Sequence, residues 1–254
     1  MKMPVLFVGH GSPMNAIEDN EFTKEWEKLG RKLPKPKAIL AISAHWYTDG
    51  TKTSDVDVPN QIYDMYGFPK ALYELKYPVK GSKELADEVM RLVGVNTIID
   101  NKWGIDHGTW SVLCRMFPEA EIPVVQLSVD YKAPAKAHYQ IGKALKSLRE
   151  EGVLILASGN IVHNLGLINW NMEGGYPEAQ AFDDYIKTNI LSRNYDAAIN
   201  YHETDIYTDR AFSSPDHYFP LLYALGAVTD DDEIEVFNDK CLMGTMSMTG
   251  YLFR

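Results

Sequence analysis

The chain has 254 residues, 45% of them hydrophobic and 11% aromatic, with a formal net charge of −10. Such a length and apolar content suit one large α/β domain with a substantial core, and the acidic balance argues against nucleic acid as a main partner. No apolar run approaches the ~18 residues of a membrane span and no leader peptide is expected, while two cysteines, Cys114 and Cys241, suit buried thiols in a reduced cytoplasm better than a disulfide scaffold or a cysteine-rich zinc site.

In chain order, Val5–Val8 predicts a short buried strand that runs directly into His10, held between Gly9 and Gly11. Phe22, Trp26 and Leu29 fall on one face of a helix. The continuous apolar run Ala38–Ser43 predicts a central parallel strand covered on both faces. From Trp46 to Lys80 the pattern lacks periodicity, carries Pro59, Pro69 and Pro78, and holds Tyr47, Tyr63, Tyr66, Phe68, Tyr73 and Tyr77. A loop of that length is expected either to pack down through its tyrosines or to form an aromatic lid over a pocket.

Leu85, Val89 and Leu92 predict a second helix after Gly81 and Ser82, and Thr97–Ile99 a short strand. Val112, Leu113 and Met116 predict a helix after a turn at His107. Ile122–Val129 predicts a strand with Pro123 at its start, and His138, Ile141, Leu145 and Leu148 a helix stripe that places His138 in the core. Val153–Ser158 is a third apolar strand, ending at Gly159 and Asn160. Helices follow around Phe182–Ile190 and Phe219–Leu225, and the tail from Ile234 to Phe253 predicts one or two edge strands. The alternation predicts a single α/β domain over residues 1–254, with a mainly parallel twisted sheet flanked by helices on both faces.

Histidine placement is the most informative feature. His10 follows the first strand, His45 follows Ala38–Ser43 by two residues, and His163 follows Val153–Ser158 by five. In an open α/β sheet the loops leaving the carboxyl ends of parallel strands converge on one crevice, where ligands bind. His217, in the turn before an apolar helix, can join them. One such histidine is ordinarily a hydrogen-bonded turn residue; three on independent strand ends are hard to attribute to chance. His107 lies beside Asp106 in Gly104–Trp110, where a neighbouring carboxylate could fix its tautomer, although consecutive side chains often diverge. His202, amid charges, is expected to be solvated.

Clustered imidazoles without cysteine suit Zn²⁺, Fe²⁺ or Cu²⁺ and do not suit Mg²⁺ or Ca²⁺. No HExxH is present, "GHGSP" is not the GxSxG elbow, and "GHG" is only part of a dinucleotide fingerprint.

The ordered set "FVGHGSPMNAIED", "ISAHWYT", "YDMYGFP", "DHGTWSVL", "IPVVQLSVD", "ASGNIVHNL" and "HYFPLLYALGA" resembles the class III extradiol ring-cleavage dioxygenases, most of all their 4,5-DOPA dioxygenase branch, nearly end to end. The resemblance implies non-haem Fe(II) that binds a catecholic substrate together with O₂. It implies His10 and His45 as metal ligands, and His217 where the wider class has a glutamate. His163 is implied as a further ligand or as an acid/base, and His107 as a catalytic residue in contact with substrate or oxygen. An all-histidine set is equally hospitable to Zn(II), so a zinc hydrolase using the same residues and a non-catalytic scaffold stand as the competing readings. The pattern sets neither the catechol nor an oligomeric state.

Overall fold

The computed structural model describes residues 2–94, 96–206 and 209–254. Its strands are β1 (Val5–Gly9), β2 (Ala38–Thr48), β3 (Lys52–Thr53), β4 (Asn60–Gln61), β5 (Ile98–Ile99), β6 (Gly104–Ile105), β7 (Val124–Asp130), β8 (Val153–Gly159), β9 (Ile234–Phe237), β10 (Cys241–Leu242), β11 (Met246–Ser247) and β12 (Gly250–Phe253). The α-helices are α1 (Glu21–Lys32), α2 (Lys70–Glu74), α3 (Lys83–Val93), α4 (His107–Met116), α5 (Ala135–Leu145), α6 (Pro177–Leu191), α7 (Tyr195–Ile199) and α8 (Phe219–Ala227).

Eight strands among the described residues form one sheet in the order β5-β3-β7-β2-β8-β1-β12-β9. Its centre, β7-β2-β8-β1, is parallel throughout, as the apolar runs predict. The flanks are antiparallel: β3 against β7 on one side, and β12 against β1 and then β9 on the other. The tail therefore supplies this sheet with one edge strand, β9, and one interior strand, β12, while β10 and β11 pair with each other in a separate two-stranded sheet.

Alternation along the central strands divides the core in two. Val5, Phe7, Leu40, Ile42 and Ile155 face α3, α5, α6 and α8. Leu6, Val8, Ile39, Ala41, Leu154 and Leu156 face α1 and α4. Period-two side-chain direction in a strand buried on both faces requires this division. Helix starts follow local chemistry: Asn20 Oδ1 accepts from the N–H groups of Phe22 and Thr23 ahead of α1, and Ser82 Oγ accepts from Leu85 N–H ahead of α3. His138 is buried in the core against Phe219, its Nδ1 3.0 Å from Tyr223 Oη.

The stretch from 46 to 80 is more structured than predicted. β2 continues to Thr48, and β3, β4 and α2 interrupt the remainder. Strands of two residues and a helix of five leave no periodicity to read. Most of its tyrosines pack the segment down: Tyr77 is buried and donates to Phe117 O, and Tyr63 lies against Trp110 while donating to Leu75 O. Tyr66 stands out at 92% exposure.

Candidate metal centre and active site

His10 leaves β1 at its carboxyl end, next to the end of β8. The loops there are stitched together, with His10 N–H donating to Gly159 O at 3.0 Å and Asn160 N–H to His217 O at 2.8 Å. Gly159 is required by this approach, since a Cβ on it would stand 2.1 Å from His217 O. His217 thus reaches the site through a backbone contact with β8, just before α8.

His45 arrives differently. It lies within β2, where pairing with β7 shifts register between Ile42 and Tyr47 and pairing with β8 stops at Ser43. Such a bulge re-aims the side chains it carries.

Nitrogen atoms of His10, His45 and His217 lie within 4.8 Å of one another. His45 Nε2 is 3.1 Å from His10 Nε2. The surroundings set the tautomers. The Ser158 hydroxyl donates its only proton to Gly108 O at 2.5 Å, so its oxygen accepts from His10 Nδ1–H at 2.9 Å. His45 Nδ1 faces Asp64 Oδ2 at 3.1 Å. His10 is thereby left with a lone pair on Nε2 that faces His45 Nε2, a pairing that either a proton on His45 or a cation between the rings satisfies. Neither buried nitrogen of His217 has a hydrogen-bond partner, although Asp216 Oδ1 is 3.3 Å from its Nδ1. Buried polar atoms are normally satisfied, and a cation would satisfy these. Two metal–nitrogen bonds of about 2.0–2.1 Å at roughly 90–110° place their nitrogens about 2.9–3.4 Å apart, which the His10–His45 spacing fits.

His107 and His163 border this set without joining it. The His163 ring stacks on His217, centroids 3.6 Å apart and planes 8° from parallel. His107 opens α4, its ring 3.9 Å from that of His45. Asp64 faces it, with Oδ2 in ion-pair contact 3.0 Å from Nδ1 but without the alignment of a formed hydrogen bond, and Oδ1 accepting from the His107 backbone N–H at 3.0 Å. The sequence neighbour Asp106 turns away, accepting from Ser43 Oγ at 2.6 Å, from Trp103 Nε1 at 3.2 Å and from Gln126 Nε2. His202 lies on the surface.

Burial pushes His10 and His217 well below the usual imidazole range, helped by the neighbouring imidazoles. It pushes His163 down to about 4 and lowers His107, where Asp64 only partly opposes it. His45 also pays for its burial, but contact with Asp64 and the fields of Asp106, Asp64 and Asp216 outweigh it and raise its affinity for a proton. Asp64 itself, although desolvated, is held well below the usual carboxylate range by His107 and His45. The site is thus a pocket of mostly neutral imidazoles beside one anchored anion, the donor chemistry a borderline transition metal needs.

Residues 4–254 match the family model described as the catalytic LigB subunit of aromatic ring-opening dioxygenase. The chain belongs to this family. A 4,5-DOPA dioxygenase extradiol of Escherichia coli (strain K12) is 43% identical to this dioxygenase, with 97% of this chain and 93% of the other covered. The Beta vulgaris protein of the same name is 40% identical over 97% of this chain and 95% of its own. A crystal structure of an uncharacterized Escherichia coli K12 protein superposes with a TM-score of 0.87 at 39% identity, covering 100% of both chains. The dioxygenase has the mixed α/β architecture and ring-opening activity that the quoted motifs imply, and its histidine cluster could hold the metal on which the family depends.

Asp64 escaped the sequence reading. It stands in the quoted "YDMYGFP", yet nothing local marks that carboxylate, because both its imidazole partners come from other parts of the fold.

Proposed function

We propose that this dioxygenase opens the ring of a catechol such as DOPA beside its hydroxyl pair, inserting both atoms of O₂ to give a semialdehyde product. His10, His45 and His217 hold Fe(II) in this reading, and His107 and His163 move protons. The observation that carries it is the convergence of three imidazoles with nitrogens within 4.8 Å of one another, both nitrogens of His217 lacking a hydrogen-bond partner. Bound there, iron supplies Lewis acidity and a redox route between an electron-rich ring and O₂. The same donors accept Zn(II), which would compete for the site.

The chain's own residues supply the remainder. His163 is neutral and stacked beside His217, a position from which it can exchange a proton with a catechol hydroxyl and with the product, although burial lowers its affinity for that proton. This placement outside the three-histidine set favours the acid/base role over ligation. His107, with Nδ1 turned to Asp64, keeps Nε2 for substrate or oxygen. His107 is buried, while His163 is partly exposed at the edge of the cluster.

The whole chain, residues 1–254, acts as one catalytic domain in this proposal. Its partners are small molecules, since a net charge of −10 repels nucleic acid. No helix among the described residues is long and apolar enough to cross a membrane. Two free cysteines suit the reduced cytoplasm.

An oxygen electrode with a panel of catechols, on protein loaded anaerobically with Fe(II), tests the assignment. Stoichiometric O₂ uptake with a yellow product is expected. Iron-loaded protein that consumes no O₂ with any catechol of the panel would refute it.

A further inference from the structure

One carboxylate touches both a candidate metal ligand and a candidate proton carrier. Asp64 Oδ2 is 3.1 Å from His45 Nδ1 and 3.0 Å from His107 Nδ1, while Oδ1 accepts from the His107 backbone N–H at 3.0 Å. The segment that delivers it is pinned on either side. Ile62 N–H donates to Ile105 O at 2.8 Å, Ile62 O accepts from Trp110 Nε1 at 2.9 Å, and the Tyr63 ring packs on Trp110. Asp106 occupies the N-cap position of α4 but makes no side-chain capping bond, so Asp64 supplies the anion at that helix start from a different segment.

We infer that Asp64 is a positioning residue that holds His45 and His107 together in their Nδ1–H tautomers, presenting Nε2 of the first to the metal and Nε2 of the second to substrate. The inference rests on the three-histidine metal reading. A histidine ligand ordinarily donates its other ring N–H to a carboxylate or carbonyl, which fixes ring orientation and raises ligand basicity; losing that partner typically weakens metal binding 10–100-fold. Here one acceptor serves two rings. Removing it therefore loosens the ligand and releases the second ring to adopt the other tautomer.

The test uses Co²⁺ as a chromophoric probe on the metal-free full chain, with a competing chelator. Wild type is expected to bind one Co²⁺ per chain. Asp64→Asn is expected to bind it about 10–100-fold more weakly, with its d–d absorption bands retained because the ligands are unchanged. Long-range ¹H–¹⁵N NMR of the zinc-loaded wild type is expected to show Nδ1–H on both His45 and His107. That measurement decides the matter even if Asp64→Asn fails to fold.

Three results overturn the inference alone: Asp64→Asn affinity within twofold of wild type, which makes Asp64 a helix cap only; an Nε2–H tautomer at His107; or two Co²⁺ per chain falling to one in Asp64→Asn, which makes Asp64 a ligand. Wild type that binds no Co²⁺ brings down the three-histidine reading together with it.

Discussion

Gly108→Ala is the sharpest steric probe of the centre. A Cβ on Gly108 would stand 2.6 Å from Ser43 Oγ and 2.9 Å from His45 Cδ2. Carbon atoms settle at about 3.5–4.0 Å, so the His45 ring must retreat by about 0.6 Å or more. It has little room to do so, with His10 Nε2 at 3.1 Å and the His107 ring centroid at 3.9 Å. Ser43 is no freer, since its hydroxyl donates to buried Asp106 at 2.6 Å. Metal–ligand distances hold within about 0.2 Å, so the displacement exceeds what a bound ion absorbs. At least a tenfold loss of Co²⁺ affinity is expected, about 1.4 kcal/mol. Alanine exceeds glycine in helix propensity by about 1 kcal/mol, which offsets part of the strain, so melting of the metal-free chain is expected to shift less than metal affinity. Chelator competition with Co²⁺ measures the first quantity and a thermal melt the second. A variant that binds Co²⁺ as tightly as wild type would refute the argument that His45 is sterically fixed as a ligand.

His107→Ala is expected to keep its metal, by elemental analysis, while losing roughly 10²–10⁴-fold in turnover; retained activity removes His107 from the catalytic residues. His217→Ala is expected to fall well below one metal per chain in the same analysis, and full occupancy would show that the ion is held elsewhere. Asp183 is buried, accepts from Ser247 Oγ at 2.5 Å and Thr249 Oγ1 at 2.8 Å, and burial raises its carboxyl to about 6. A carboxyl raised in the folded state leaves stability intact below the unfolded pKa of about 4, and up to about 3 kcal/mol is lost as the pH rises from there through 6, because the unfolded chain ionises first. Urea titrations at pH 4.5 and 7 should show Asp183→Asn gaining stability relative to wild type at the higher pH, and equal differences at the two values would contradict the shift.

Much of the architecture was legible because its signals are local. Ala38–Ser43, Ile122–Val129 and Val153–Ser158 read as buried parallel strands since no other element of that length is apolar on both faces, and they form the sheet's centre. His10 and His217 were legible from their places at a strand end and before a buried helix, the positions from which side chains enter the crevice. His45 was expected in a loop beyond a strand, whereas the strand continues and bulges; register against a neighbour is a tertiary property that one strand's residues do not encode. Asp106 drew attention by adjacency to His107, yet consecutive residues diverge, and Ser43 and Gln126 claim its oxygens. Asp64 faces His107 across 43 positions of sequence, as the hydrogen bond between them records, and no periodicity spans such a gap.

The irregularity in β2 carries a consequence for how this protein can vary. Between the pairs Ile42–Leu127 and Tyr47–Val129, four residues, Ser43 to Trp46, stand opposite one, Ser128. Adding or deleting a single position there would reverse which side of the ribbon each neighbour occupies, sending an indole or a methyl group where an imidazole now stands. The spacing of this tetrapeptide is therefore as binding a constraint as its composition, and libraries that diversify it should hold its length constant.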